Sequence, residues 1–116
     1  MKPGNFLDNI IIARKGVESY LLPLTDIVYF YSENKVVFLK DKKGSKYISE
    51  KNLLELEMEL RNHNYFRSSK NSLINIEHIK KFRPIDNGRL EVLLHDNSSV
   101  IVSQLYASTF RKLFRA

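Results

Sequence analysis

The chain contains no cysteine, so disulfides and thiolate chemistry are excluded, as in a cytoplasmic protein. It also lacks any apolar run approaching the ~20 residues that cross a bilayer, and no membrane partner is expected. The first nine residues, MKPGNFLDN, have no apolar core and do not form a signal peptide. Glycine is sparse, with four residues scattered at positions 4, 16, 44 and 88, so there is no glycine-rich loop to cradle a phosphate. No Gly-x-Ser-x-Gly elbow is present. His63, His78 and His95 lie far apart without zinc-site spacing. Neither a metal, a cofactor nor an enzymatic activity is therefore expected. Zinc-finger spacing and a long basic helix are missing too. Helix-turn-helix needs two adjacent helices, and the best helical segment here is followed by strand-like sequence.

What remains is ordinary in bulk and uneven in charge. The 116 residues suffice for one domain with its own core, and 43% apolar content is typical of a globular chain. The net charge is +6. Residues 49–60 hold four acids and one base, leaving eighteen bases against nine acids elsewhere. An acidic helix beside a basic remainder suits a polyanion binder, although a basic protein without such a partner has the same totals.

Most of the chain reads as short strands rich in β-branched and aromatic residues. Asn9–Lys15 and Val17–Leu24 flank Lys15-Gly16. Asp26–Ser32 and Lys35–Lys40 flank Glu33-Asn34. Asp41–Lys46 is a turn, and Lys46–Ser49 a short partner strand. Ser72–Pro84, Arg89–His95 and Ser99–Ser103 follow, with turns at Ile85–Gly88 and His95–Ser98. Helical spacing appears twice. Leu53, Leu56 and Leu60 predict a helix over 49–61 capped by Ser49. Leu105, Phe110, Leu113 and Phe114 predict another over 104–114 capped by Ser103.

One stretch stands apart: FRSSKNSLIN, Phe66–Asn75. A turn built only for folding uses Gly, Pro, Asn or Asp at set positions. This one stacks hydroxyls, an amide and two cations. Other bases, Lys35, Lys42, Lys43 and Lys46, also fall at turns. A nucleic acid would thus be met by loops on a β scaffold. Lys70 can bond guanine or a phosphate, Asn71 can pair with adenine, and Ser68 and Ser69 can reach either bases or phosphates. Arg67 can instead pair with an acid such as Glu59, and Asn75 can tie the turn that follows it.

The order of these pieces resembles the LytTR DNA-binding domain family, output modules of bacterial two-component response regulators. FRSSKNSLINIEHI resembles the family's central motif, with Phe66, Arg67, Ser69, Lys70, Asn75 and Ile79 in its places. IVSQLY, Ile101–Tyr106, is similar to a second signature, and IVYFYSENKVVFL, Ile27–Leu39, to a first-strand signature. The resemblance runs over residues 9–115. It implies a mainly β, elongated fold of three small sheets with short helices, gripping double-stranded DNA by loops at one end. Those loops match the turn at Asn34 and Lys35, the loop holding Arg67, Ser69, Lys70 and Asn71, and the segment Ser103, Gln104 and Leu105. Gln104 stands where the family has arginine, which removes a cation. The resemblance further implies either a receiver domain N-terminal to this one in a longer parent chain or a standalone regulator, with residues 1–8 as a linker remnant and 9–116 as the DNA-binding domain. A monomer binding direct repeats is expected. The rival reading is a protein-interaction module, with solvated basic loops and the helix Gln104–Phe114 docking a partner.

Overall fold

The computed structural model describes residues 6–115; the first five residues of the expected linker and Ala116 lie outside the described residues. Ten strands form two antiparallel sheets, accompanied by two α-helices. The strands are β1 (Ile10–Lys15), β2 (Glu18–Pro23), β3 (Ile27–Glu33), β4 (Val36–Asp41), β5 (Lys46–Ser49), β6 (Tyr65–Ser69), β7 (Ser72–Asn75), β8 (Ile79–Pro84), β9 (Leu90–Leu94) and β10 (Ser99–Val102). The helices are α1 (Leu53–Glu59) and α2 (Gln104–Lys112). The larger sheet runs β2-β1-β5-β4-β3-β7-β6 and the smaller β10-β9-β8. Three sheets were expected. Two residue pairs, Ala13–Ser49 and Arg14–Ile48, join β1 to β5 and fuse the first hairpin onto the rest. The envelope, 41 × 38 × 24 Å, is a flattened slab and not an elongated body.

Alternation of side chains decides the layering. One core gathers Ile11, Leu22, Ile27, Phe30, Leu39 and Leu73 of the larger sheet under Leu53, Leu56 and Leu60 of the α1 segment. The second holds Val28, Phe66 and Ile74 from the opposite face, packed against Leu90, Val92, Leu94, Val100 and Val102 and against Ala107 and Phe110 of α2. Strands β3 and β7 are therefore covered on both faces, which is why apolar residues adjoin in them, Ile27-Val28 and Leu73-Ile74, instead of alternating with polar ones. Phe110 is fully buried, its ring edge-on to Phe66 and Phe82 at centroid distances of 5.4 and 4.9 Å.

Helix α1 is shorter than the expected 49–61 because Asn52, not Ser49, caps it. The Asn52 side chain accepts from the Glu55 N–H at 2.8 Å, and the Glu55 carboxylate accepts from the Asn52 N–H at 2.9 Å. This reciprocal pair satisfies two otherwise open donors. Ser49 instead ends β5 and bonds Lys51. The long strand expected over 72–84 breaks after Asn75, whose side chain accepts from Glu77 N–H and starts a 3-10 turn at Ile76–His78, as its sequence position suggested. Its amide also donates to Ile27 O at 2.9 Å. Burial raises the pKa of the Tyr65 phenol, whose hydroxyl donates to Leu24 O at 2.7 Å. No helix among the described residues is long and apolar enough to cross a membrane.

Candidate nucleic-acid interface

The β3–β4 hairpin closes at Glu33–Val36 with Asn34 and Lys35 as its two loop residues. Both have positive φ, 51° and 69°, as a primed hairpin turn requires. Glycine is the favoured residue at the second position; here it is lysine, held in a conformation costing roughly 1–2 kcal/mol. Both residues are exposed.

The β6–β7 hairpin is built differently. Ser69 pairs with Ser72 around the exposed tip Lys70-Asn71, and the register slips between Arg67 and Ser69. Neither tip residue has positive φ. The tip is held from inside instead. Ser68 Oγ meets Ser72 Oγ at 2.5 Å, and Ser69 Oγ meets Ser72 Oγ at 2.8 Å. The Asn71 N–H donates to Ser69 Oγ at 3.1 Å. Arg67 is 15% exposed; its guanidinium donates to Ser69 O at 2.8 Å, Lys70 O at 2.9 Å and Glu57 of α1 at 2.8 Å.

Two expectations change here. Ser68 is fully buried and bonded, so it offers nothing to solvent. Arg67 pairs with Glu57, and Glu59 pairs with Lys51.

Backbone bonds bring the separate segments together. Ser32 N–H donates to Asn71 O at 2.9 Å, setting the β6–β7 tip beside the last residues of β3 and hence beside the Asn34-Lys35 turn. Ser103 N–H donates to Ser68 O at 2.9 Å, anchoring the start of α2 on the same hairpin. Ser103 occupies the expected N-cap position, but its side chain makes no capping bond. Gln104 and Leu105 follow, exposed, with Leu105 81% accessible. Asn34, Lys35, Ser69, Lys70, Asn71, Ser103, Gln104 and Leu105 thus share one end of the molecule. No hydrogen bond or ion pair ties the ammonium groups of Lys35 and Lys70 among the described residues.

Sequence reasoning missed one neighbour. The β8–β9 turn, Asp86–Gly88, lies against Gln104: a β-carbon at Gly88 would come within 3.1 Å of Gln104 Cγ. Asn87 and Gly88 both have positive φ, 57° and 73°. Arg89 follows, paired with Asp86 at 2.6 Å. The Asn-Gly signal was legible as a turn, but nothing local linked it to residue 104.

A family model, the LytTr DNA-binding domain, matches residues 17–115. The chain belongs to that family. It is a DNA-binding domain, mainly β in fold. Among curated proteins this LytTr domain is 28% identical over 98 residues to the sensory transduction protein LytT of Bacillus subtilis, covering 84% of this chain and 40% of that protein. It is 29% identical over 96 residues to the transcriptional regulatory protein BtsR of Salmonella typhi, covering 80% and 38%. The chain thus spans about two fifths of the length of these relatives. A solved LytTr DNA-binding domain from Bacillus cereus superposes with a TM-score of 0.86 over 93% of this chain and 98% of that one, at 22% identity, so the fold is shared. The family match begins at Val17, after β1, yet β1 is hydrogen-bonded into the larger sheet.

Proposed function

We propose that this LytTr domain reads double-stranded DNA sequence-specifically through the end formed by Asn34-Lys35, Ser69–Asn71 and Ser103–Leu105, as the cytoplasmic output module of a bacterial response regulator. The observation that carries the reading is that two unpaired lysines, Lys35 and Lys70, stand on neighbouring hairpin tips, the Lys70 tip held from within by Arg67 and its own hydroxyls. A tip braced by its own hydroxyls and by Arg67 presents Lys70 without having to order on contact, which lowers the entropic cost of binding.

The chemistry of each group fits a groove. Lys70 donates to guanine O6 and N7 or to phosphate, and Lys35 to phosphate. Asn34 and Gln104 each carry the donor–acceptor pair that matches adenine. Leu105 offers an apolar contact for a thymine methyl. The Ser103 hydroxyl and the open N–H groups at the start of α2 suit a phosphate. Asn71 contributes less, because its side-chain oxygen faces Ser32 Oγ at 3.3 Å. Asn87 and Arg89 extend the same end toward the duplex. The rival, a protein-docking α2, has little support: the helix buries Ala107 and Phe110 within the domain, and Phe114 packs on Phe82 and Phe110.

Selection against random duplexes at moderate salt, followed by a salt titration, tests this. An enriched motif, with affinity falling as salt rises, is the expected result. Flat enrichment at every salt concentration would overturn it.

A further inference from the structure

We propose that Arg67 and Glu57 form a positioning pair that sets the shape of the DNA-reading tip from behind and touches no DNA. The proposal rests on the DNA-binding reading above and names the device that controls it.

The β6–β7 tip is an unusual hairpin. Its two loop residues lack positive φ, and β6 carries a register slip between Arg67 and Ser69. A two-residue hairpin in the primed conformation matches strand twist by itself; this one does not, so another contact must fix it. Arg67 supplies that contact. One planar guanidinium accepts no freedom in where its donors point. Nε holds the Ser69 carbonyl and Nη2 the Lys70 carbonyl, at 2.8 and 2.9 Å. With both carbonyls drawn to the guanidinium, the Lys70 side chain stays at the exposed tip. The third arm, Nη1, reaches Glu57 at 2.8 Å. Glu57 belongs to α1, whose apolar residues Leu53 and Leu56 are buried in the first core. The tip is thereby referenced to a packed helix and not merely to its own strands. At 15% exposure, with its three nitrogens engaged, the Arg67 guanidinium is not presented as a free phosphate contact.

The sign of one substitution separates positioning from contact. Glu57→Gln removes a negative charge from a protein that binds a polyanion. Electrostatics alone then gives tighter binding. Loss of positioning gives weaker binding. Glu57→Gln keeps the side-chain volume, and the Glu57 side chain is 42% exposed, so the fold should survive. Arg67→Lys keeps the charge and loses the fork.

The test measures binding of the intact domain and both variants to the duplex enriched by wild type, across a salt series. Amide hydrogen exchange is followed at Asn71 without DNA. The expected result is affinity lower by about two- to fivefold in Glu57→Gln, the worth of the lost ion pair, and by about tenfold in Arg67→Lys, which loses charge-assisted bonds, with an unchanged log–log salt slope and faster exchange at Asn71 in both. Tighter binding by Glu57→Gln with unchanged exchange would overturn the proposal. So would a salt slope shallower by about 0.9 in a third variant measured in the same series, Arg67→Ala, the signature of one lost phosphate contact. Failure of wild type to bind any duplex would sink the DNA reading instead, and the exchange data would still decide whether Arg67 and Glu57 hold the tip.

Discussion

At the scale of single residues, some groups hold the tip and others face outward. Ser68, Ser69, Ser72 and Arg67 bond to one another or to the backbone, while Lys70 does neither with its side chain. Lys70→Ala should therefore leave the thermal unfolding transition in place and weaken specific binding by about 1–3 kcal/mol, the worth of one good base contact. Binding equal to wild type in a titration of the enriched duplex would refute the role given to Lys70. Gln104 makes a second case. It lies over Gly88, at the open end of the helix, where an arginine can extend toward phosphate. Gln104→Arg should tighten binding and steepen the log–log salt slope by about 0.9. An unchanged slope would place this side chain away from the duplex. The sequence revealed which side chains carry charge and which can bond bases. It did not reveal which were already engaged, because Arg67–Glu57 and Ser32–Asn71 join residues 10 and 39 apart in the chain.

Among the elements, strands were the most legible because their alternation is local. Lys46–Ser49 is β5 as expected, and β1, β3, β4, β9 and β10 lie within about two residues of their predicted ends. Misreadings arose where side chains competed for the backbone. Asn52 displaced Ser49 as cap, and Asn75 broke a strand, each through a side-chain bond to the backbone. The number of sheets depended on a β1–β5 contact between residues more than thirty apart, which no periodicity encodes. The Asn34-Lys35 turn sets the proposed DNA contact against local preference. Lys35 sits at a φ of 69°, where glycine is favoured. Lys35→Gly should relieve the left-handed strain and stabilise the fold by roughly 0.5–1 kcal/mol, after the entropy that glycine loses on folding. It should also weaken DNA binding. Denaturant melts and binding titrations measured together would show the opposed effects. Lower stability together with unchanged binding would mean that Lys35 serves the fold alone.

For the molecule as a whole, the question is how a small interface becomes selective. The proposed reading end is one edge of a slab about 40 Å across. Exposed apolar side chains are spread over the surface, among them Ile12 beside Leu21, Leu54 beside Met58 and Leu113 beside Phe114, and the two short α-helices among the described residues supply no heptad seam. The isolated domain should therefore sediment as a monomer. We propose that selectivity then comes from two copies on direct repeats spaced near one helical turn, an arrangement that would place both on one face of the duplex. A tight dimer without DNA, or full affinity for one half-site, would contradict this arrangement. The family and the β class were readable in the motif order, since each motif is contiguous. The meeting of residues 34, 70, 87 and 103 at one end could be expected only in part, because folding creates it. The most direct test of that meeting is a map of backbone amide shifts on adding the enriched duplex. The account predicts changes concentrated at Asn34-Lys35, Ser69–Asn71, Asn87–Arg89 and Ser103–Leu105. Changes centred instead on α1 or on the β1–β2 hairpin would contradict it.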